Sequence, residues 1–156
     1  MDKIKWCALQ VHGISIVKQD NKLVEEYLRK SLNALKTSDE VSDIEWRISA
    51  RYYAMYFALY AVLTKIGIKC EMHDCTIEFM KIFLGKLYSA SDNDIMISAK
   101  KARIDTQYYV GRVVQEISRD DIHSFIRKCR GILSTISPSD ISMIRSDVQR
   151  ILDQKV

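Results

Sequence analysis

The stretch Ile44–Ile66, IEWRISARYYAMYFALYAVLTKI, constrains the fold of this chain more than any other. Ile44, Ile48, Tyr52, Met55, Leu59, Val62 and Ile66 put an apolar or aromatic side chain on the same face in each helical turn. Between Arg51 and Lys65 there is no charge, and Tyr53, Ala54, Tyr56, Phe57, Ala58, Tyr60 and Ala61 make the other faces apolar as well. A helix that is apolar all round is enclosed by its own bundle or shared with a partner. The uncharged run is too short for a bilayer span, which takes about 20 apolar residues. The rod therefore predicts a helical bundle built around it.

Composition supports an all-α chain. With 156 residues, one proline and five glycines, there is enough length for a proper core and too little turn punctuation for many short strands. The net charge of +4 is mild and spread along the chain, unlike the lopsided basic chains that live on duplex DNA. The N-terminus, MDKIKWCALQVHGISIV, has no long apolar run leading to a cleavage site, so a cytosolic protein is expected. Cys7, Cys70, Cys75 and Cys129 are then expected as reduced, packed thiols.

Along the chain, Trp6, Cys7, Leu9 and Val11 suit a short helix broken at Gly13, and Ile14 and Ile16 alternate as an extended segment does. This arm either packs on its own bundle or clasps a neighbour. A first long helix is expected from Asn21 to Lys36, capped by Asp20 or Asn21, with Leu23, Tyr27, Leu28, Leu32, Ala34 and Leu35 as its apolar stripe. Thr37 and Glu40 have capping-box spacing, which starts the rod near Ser38, and Gly67 stops it. A third helix is expected over 74–87. Ser91 and Asp94 open a fourth over 92–116, with Ile95, Ala99, Ala102, Thr106, Tyr109 and Val113 inward. Ser118 and Asp121 open a fifth, with Ile122, Ile126, Cys129, Leu133 and Ile136 inward. Ser137-Pro138-Ser139-Asp140 opens the last, with Ile141, Ile144, Val148 and Ile151 as its stripe. The expected architecture is an up-and-down antiparallel bundle of five long helices plus a C-terminal helix. It forms one domain over 1–156, with an arm at 1–19, a core at about 20–136 and the extra helix at 138–154.

Four constellations carry chemistry. Cys70, His73 and Cys75 offer sulfur and nitrogen donors, but without the paired spacing of a zinc ribbon, and a structural loop that caps helix three is the favoured reading. Arg103 can hold a phosphate bidentately, with Asp105 and Gln107 to orient it, or can be an ion-paired arginine at the edge of the core. Arg119, His123, Arg127 and Arg130 form one basic stripe, which reads as a phosphate track or as a solvated helix face. The tyrosines at 52, 53, 56, 60, 108 and 109 can stack bases, fill the core or, through Tyr52, Tyr56 and Tyr60, form a dimer seam. No glycine-rich phosphate loop and no His-Glu-x-x-His is present.

Ser49-Ala-Arg-Tyr-Tyr-Ala54, then Gly67-Ile68, His73-Asp74, Arg103 and Tyr108-Tyr109, in that order and spacing, resemble the HEPN domain, most closely its small stand-alone archaeal and bacterial members. The resemblance spans roughly residues 20–136. It implies a bundle of about five helices that pairs as a homodimer. Many members are metal-independent ribonucleases that use an arginine followed four to six residues later by a histidine, at the dimer cleft. There a ribose 2′-hydroxyl attacks its own phosphate, the histidine handles protons and the arginine holds the charge. Carried onto this chain, the arginine is Arg103, and the histidine slot reads Tyr108, Tyr109, Val110. A phenol with a pKa of about 10 is a poor base at neutral pH. Other members are toxin halves paired with a minimal nucleotidyltransferase that modifies a tyrosine beside the motif, for which Tyr108 and Tyr109 are the candidates here. Still others bind nucleotides.

Three functions follow as expectations. The first is a dimeric binding or interaction protein for RNA or nucleotide, in a toxin–antitoxin-type pair and lacking the nuclease histidine. The second is a ribonuclease using Arg103 with Tyr108. The third is a purely structural dimerisation module. The ligand-contacting set expected is Arg51, Arg103, Tyr109, Arg119, His123 and Arg127, with no metal or cofactor implied.

Overall fold

The computed structural model describes residues 2–154; the first and last residues of the expected domain lie outside that range. The described chain is all-α apart from one pair of two-residue strands. In order it runs α1 (Lys3–Leu9), β1 (Ser15–Ile16), α2 (Asn21–Glu40), α3 (Ile44–Ile66), β2 (Ile68–Lys69), α4 (His73–Phe83), α5 (Ala90–Tyr108), α6 (Arg119–Thr135) and α7 (Pro138–Asp153). The bundle organises itself around α3, which packs against α2, α5 and α6.

The rod is enclosed because nothing on it needs water. Tyr52, Ala54, Met55, Ala58, Leu59, Ala61, Val62, Leu63 and Ile66 are sealed within the chain. Each large apolar side chain so buried contributes about 1.5–3 kcal/mol. Tyr56 and Tyr60, at 6% and 7% exposure, are also inside, so this face of α3 packs on its own chain and is not a free seam. On the α2 side, the Ser31 hydroxyl donates to the Ala54 carbonyl at 2.6 Å, and Tyr27 meets Tyr60 edge-on.

Caps set most of the boundaries. The Asp43 carboxylate accepts from the Glu45 and Trp46 amides, so α3 begins at Ile44 and not near Ser38. Ser38 instead stays inside α2, its hydroxyl donating to the Leu35 carbonyl at 2.6 Å. A carboxylate that captures two free amides outcompetes a hydroxyl that can be satisfied within its own helix. At the other end of the rod, Gly67 adopts φ 84°, and its amide closes on Leu63 and Thr64. Arg145 of α7 reaches the same corner, its Nη1 donating to the Val17, Ile66 and Gly67 carbonyls.

Other expectations are corrected as well. The capping box of α5 is Ser89 with Asp92, so that helix starts earlier than the Ser91 box predicts. Asp92 also meets Lys128 of α6, a tertiary contact the Ser91 box lacks. The same helix stops at Tyr108, because Tyr109 turns extended and Gly111 adopts φ 79°. Tyr109 and Val113 are consequently exposed and not on the inward line, which runs through Met96, Ala99, Ala102 and Asp105. Helix α4 ends at Phe83, and the stripe of α2 centres on Val24, Ser31, Leu35 and Ser38, leaving Leu23 and Leu32 exposed.

The N-terminal arm packs on its own bundle. Strand β1 pairs antiparallel with β2, Ser15 opposite Lys69 and Ile16 opposite Ile68, and α1 lies on α4 and α7. Cys7 of α1 and Cys75 of α4 form a disulfide, with Cα atoms 5.6 Å apart. The expectation of four reduced thiols is thereby corrected. The two cysteines are 68 residues apart in sequence, and only the return of the arm onto α4 brings them together. Cys70 and Cys129 are free and buried.

Candidate functional site

Helix α3 presents Tyr52, Tyr53 and Tyr56 on adjoining positions, and two cationic side chains from other helices come to that wall. Arg103 arrives from the middle of α5. Its guanidinium carbon lies 4.8 Å from the centre of the Tyr52 ring and 5.5 Å from that of Tyr53, within cation–π range. Its Nη1 donates to the Tyr53 hydroxyl at 3.0 Å. Its Nε is sealed from solvent without a partner. Among the described residues no carboxylate lies within ion-pair distance of Arg103, whereas Arg47, Arg51, Arg112 and Arg119 are all paired.

His73 is the first residue of α4. The connection after Gly67 is short enough to fold it back on α3, where its ring stacks on Tyr56, 4.0 Å between centroids and 5° between planes. Nδ1 lies 2.5 Å from the Tyr52 hydroxyl. Nε2 has no hydrogen-bond partner among the described residues and is not sealed from solvent. Burial pushes the imidazole down to about 4, and the Arg103 and Lys100 charges push in the same direction. The ring is therefore neutral at pH 7. Burial raises the Tyr52 and Tyr56 phenols, so both stay protonated. Lys100, one turn before Arg103, contacts Asp74, yet burial together with Lys3 and Arg103 lowers its ammonium. The site is thus a small, cation-rich, carboxylate-poor corner with an aromatic wall. It can hold an anion through unspent guanidinium donors, with a neutral imidazole beside it.

The other expected residues are placed elsewhere. Arg51 donates to Glu116 at 2.8 Å and to the Ile117 carbonyl at 2.9 Å, tying the 116–117 segment to α3 together with Arg47. Arg119 grips Asp39 with two bonds, at 2.7 and 2.8 Å. His123 lies near enough to act on the same carboxylate, and its Nε2 is sealed without a partner. Arg51, Arg119 and His123 therefore gather around Asp39. Arg127 is exposed. Tyr108 is exposed at the end of α5, and Tyr109 carries Arg112 3.5 Å above its ring. Asp105 holds Lys101 and Arg112, and Gln107 donates to Ser49.

Of the expected set, Arg103 alone reaches the tyrosine wall with its donors unspent. His73, with Tyr52 and Tyr53, completes the corner and was missed by sequence reasoning as a site residue. The signal was present in two halves: His73-Asp74 among the resembling motifs, and the stop at Gly67 that turns the chain back along α3. Of the Cys70–His73–Cys75 set, Cys75 is bonded to Cys7, the Cys70 thiol donates to the Met72 carbonyl and His73 is held by Tyr52.

No curated protein sequence matches this chain significantly. The family model of the HEPN domain matches residues 24–139, from α2 to the first turn of α7 and across the whole Arg103 corner. With that match covering most of the chain, the protein belongs to the HEPN domain family.

Proposed function

We propose that the protein binds RNA or a nucleotide through a phosphate group seated on Arg103. One observation carries this reading: an arginine fixed on an aromatic wall, half-buried, with no carboxylate among the described residues to neutralise it. A guanidinium so placed gains most from an incoming oxyanion, which it can meet with a pair of parallel N–H donors, while the neighbouring tyrosines suit a base or ribose face. Titration of a labelled single-stranded RNA and of a nucleotide against wild type and Arg103→Ala tests it. Loss of a bond to a charged group predicts affinity about tenfold weaker or more. Equal affinity of the two proteins overturns the reading.

A second reading, metal-independent RNA cleavage, is favoured by one specific observation. The missing motif histidine has a counterpart in His73, which shares the Tyr52 and Tyr53 wall with Arg103. Neutral Nε2 can accept the 2′-hydroxyl proton as that oxygen bonds to phosphorus, and return it to the departing 5′-oxygen. The products are a 2′,3′-cyclic phosphate and a 5′-hydroxyl. Incubating RNA with wild type, Arg103→Ala and His73→Gln distinguishes the readings: cleavage absent in both variants supports the enzyme, and binding without cleavage supports the module.

The protein acts in this proposal as one HEPN-like domain with an added arm and C-terminal helix, as a cytoplasmic homodimer, and as the partner of a minimal nucleotidyltransferase. Dimer formation is supported by exposed apolar side chains at Trp46, Val110 and Val113, on segments that the Arg47–Glu116 ion pair draws together. Tyr108 and Tyr109 are both exposed, and Tyr108, the more open of the two, is the more reachable for a modifying partner. No helix of the described residues is long and apolar enough to cross a membrane. A dimer with no affinity for RNA or nucleotide would leave the purely structural module.

A further inference from the structure

A site built only to hold a permanent anion has no need of a neutral imidazole beside its arginine. His73 is held there by three independent contacts: the stack on Tyr56, the hydrogen bond to Tyr52 and the edge contact with Tyr53. The holder is also unusual in kind. A carboxylate on Nδ1 would keep the ring charged, and a backbone carbonyl could only accept. The Tyr52 hydroxyl both donates and accepts, so it can keep its contact whether the ring is neutral or protonated. The orientation of Nε2 then survives a change of protonation state.

Resting on the reading that Arg103 seats a phosphate, we infer that His73 is a second ligand-contacting group of that site and that its ligand is a phosphodiester. When the diester seats on Arg103, the imidazole takes up one proton from solvent and Nε2 donates a hydrogen bond to a non-bridging oxygen.

The electrostatics of the corner supply the drive. The charged and titratable groups around His73 are Tyr52, Tyr53 and Tyr56 from α3, Lys100 and Arg103 from α5 and Asp74 on its own helix, with Lys3 of α1 acting on Lys100. In the empty site the Arg103 and Lys100 charges and the first-turn position on α4 all oppose a second cation at His73. A bound monoanion reverses the balance at that spot. It offsets Arg103, and its charge makes the hydrogen bond from an imidazolium Nε2–H stronger than that from the neutral Nε2–H tautomer. Binding and protonation are then linked, and each strengthens the other. Across the range between the two protonation midpoints of the ring, affinity rises as pH falls.

The test uses a 2′-O-methyl RNA hexamer with 5′- and 3′-hydroxyl ends. All its phosphates are diesters, singly charged over the range, and it cannot be cleaved through the 2′-position. Calorimetry at pH 5, between the free and bound midpoints, in two buffers of different ionisation enthalpy is expected to show net proton uptake in wild type and none in His73→Gln. NMR titration of the His73 Cε1–H, assigned by its absence in that variant, is expected to show its midpoint moving upward by more than one pH unit on saturation. If His73→Gln folds poorly, through-space contacts between the Cε1–H and the stacked Tyr56 ring assign the signal in wild type. Hexamer binding that Arg103→Ala abolishes, with the His73 midpoint unmoved and no proton uptake, overturns this inference and leaves the phosphate site intact. Absent binding, or equal binding by wild type and Arg103→Ala, overturns the phosphate reading and this inference with it.

Discussion

The Tyr52 hydroxyl and the His73 Nδ1 lie 2.5 Å apart, joining the middle of α3 to the first residue of α4. The phenol is fully buried in a wall of aromatic rings. The imidazole is only half-buried, so the bond connects the interior of the bundle to the surface corner where Arg103 rests. The aromatic character of the rod thus serves packing and site geometry through the same residues.

Tyr52→Phe keeps the ring packing and removes the bond. The His73 Nδ1 is then left without its partner, at a cost of about 1 kcal/mol. Urea denaturation measures that cost, and ring relaxation of His73 by NMR is expected to report a freer imidazole. Unchanged stability together with an unchanged ring would show that stacking on Tyr56 alone positions His73.

Acid is expected to weaken the fold through His73. Its folded value, about 4, lies below the unfolded value of 6.5, so the unfolded chain binds the proton more readily. The contribution to stability is complete above pH 6.5 and is lost as pH falls towards 4. Discounted for the partial exposure of the ring, the loss is on the order of 1–2 kcal/mol. Denaturation midpoints of wild type and His73→Gln across that window check it: the variant is expected to show a flatter dependence.

Breaking the Cys7–Cys75 bond frees the N-terminal arm from α4. Closing a loop that spans 68 residues restricts the unfolded chain by about 4 kcal/mol in the chain-entropy account. Cys7→Ser is expected to lose about 2–4 kcal/mol by thermal or chemical denaturation. A second readout is proteolysis, which in the variant is expected first within residues 2–20. Identical melting with and without reductant in wild type would show that the bond does not form in solution.

Gly67→Ala is expected to be among the more damaging single-methyl changes. The backbone sits at φ 84°, and a Cβ there would fall 2.0 Å from Arg145 Nη1 and 2.7 Å from the Val17 carbonyl oxygen. Left-handed strain costs about 1–2 kcal/mol, and displacing Arg145 forfeits its bonds to three carbonyls. A total loss of about 2–4 kcal/mol is expected in a denaturation series, together with Arg145→Met, which removes the same cap from the other side. A near-neutral Gly67→Ala would show that the corner relaxes freely.

The end of the rod at Ile66, the stop at Gly67, the Ser118 and Ser137 caps and the short N-terminal helix before Gly13 are all legible in the chain itself. They depend on periodicity, capping and glycine conformation, which act over a few residues. Arg103 is legible in the same way, as a basic residue within a recognisable motif. What the chain could not disclose was the outcome of competitions between distant groups. Two boxes of equal spacing compete to start α5, and Lys128 of α6 pairs with the Ser89 one. Arg51 and Arg119 look as free as Arg103 in sequence, but Glu116 and Asp39 reach them in space. His73 looks like part of a cysteine loop until the turn at Gly67 lays it on Tyr56 and Cys75 proves to be bonded to Cys7. Local chemistry determined which segments are helices and where most of them start; only packing, by bringing groups tens of residues apart within hydrogen-bond distance, decided which cation kept its donors free and which histidine stood beside it.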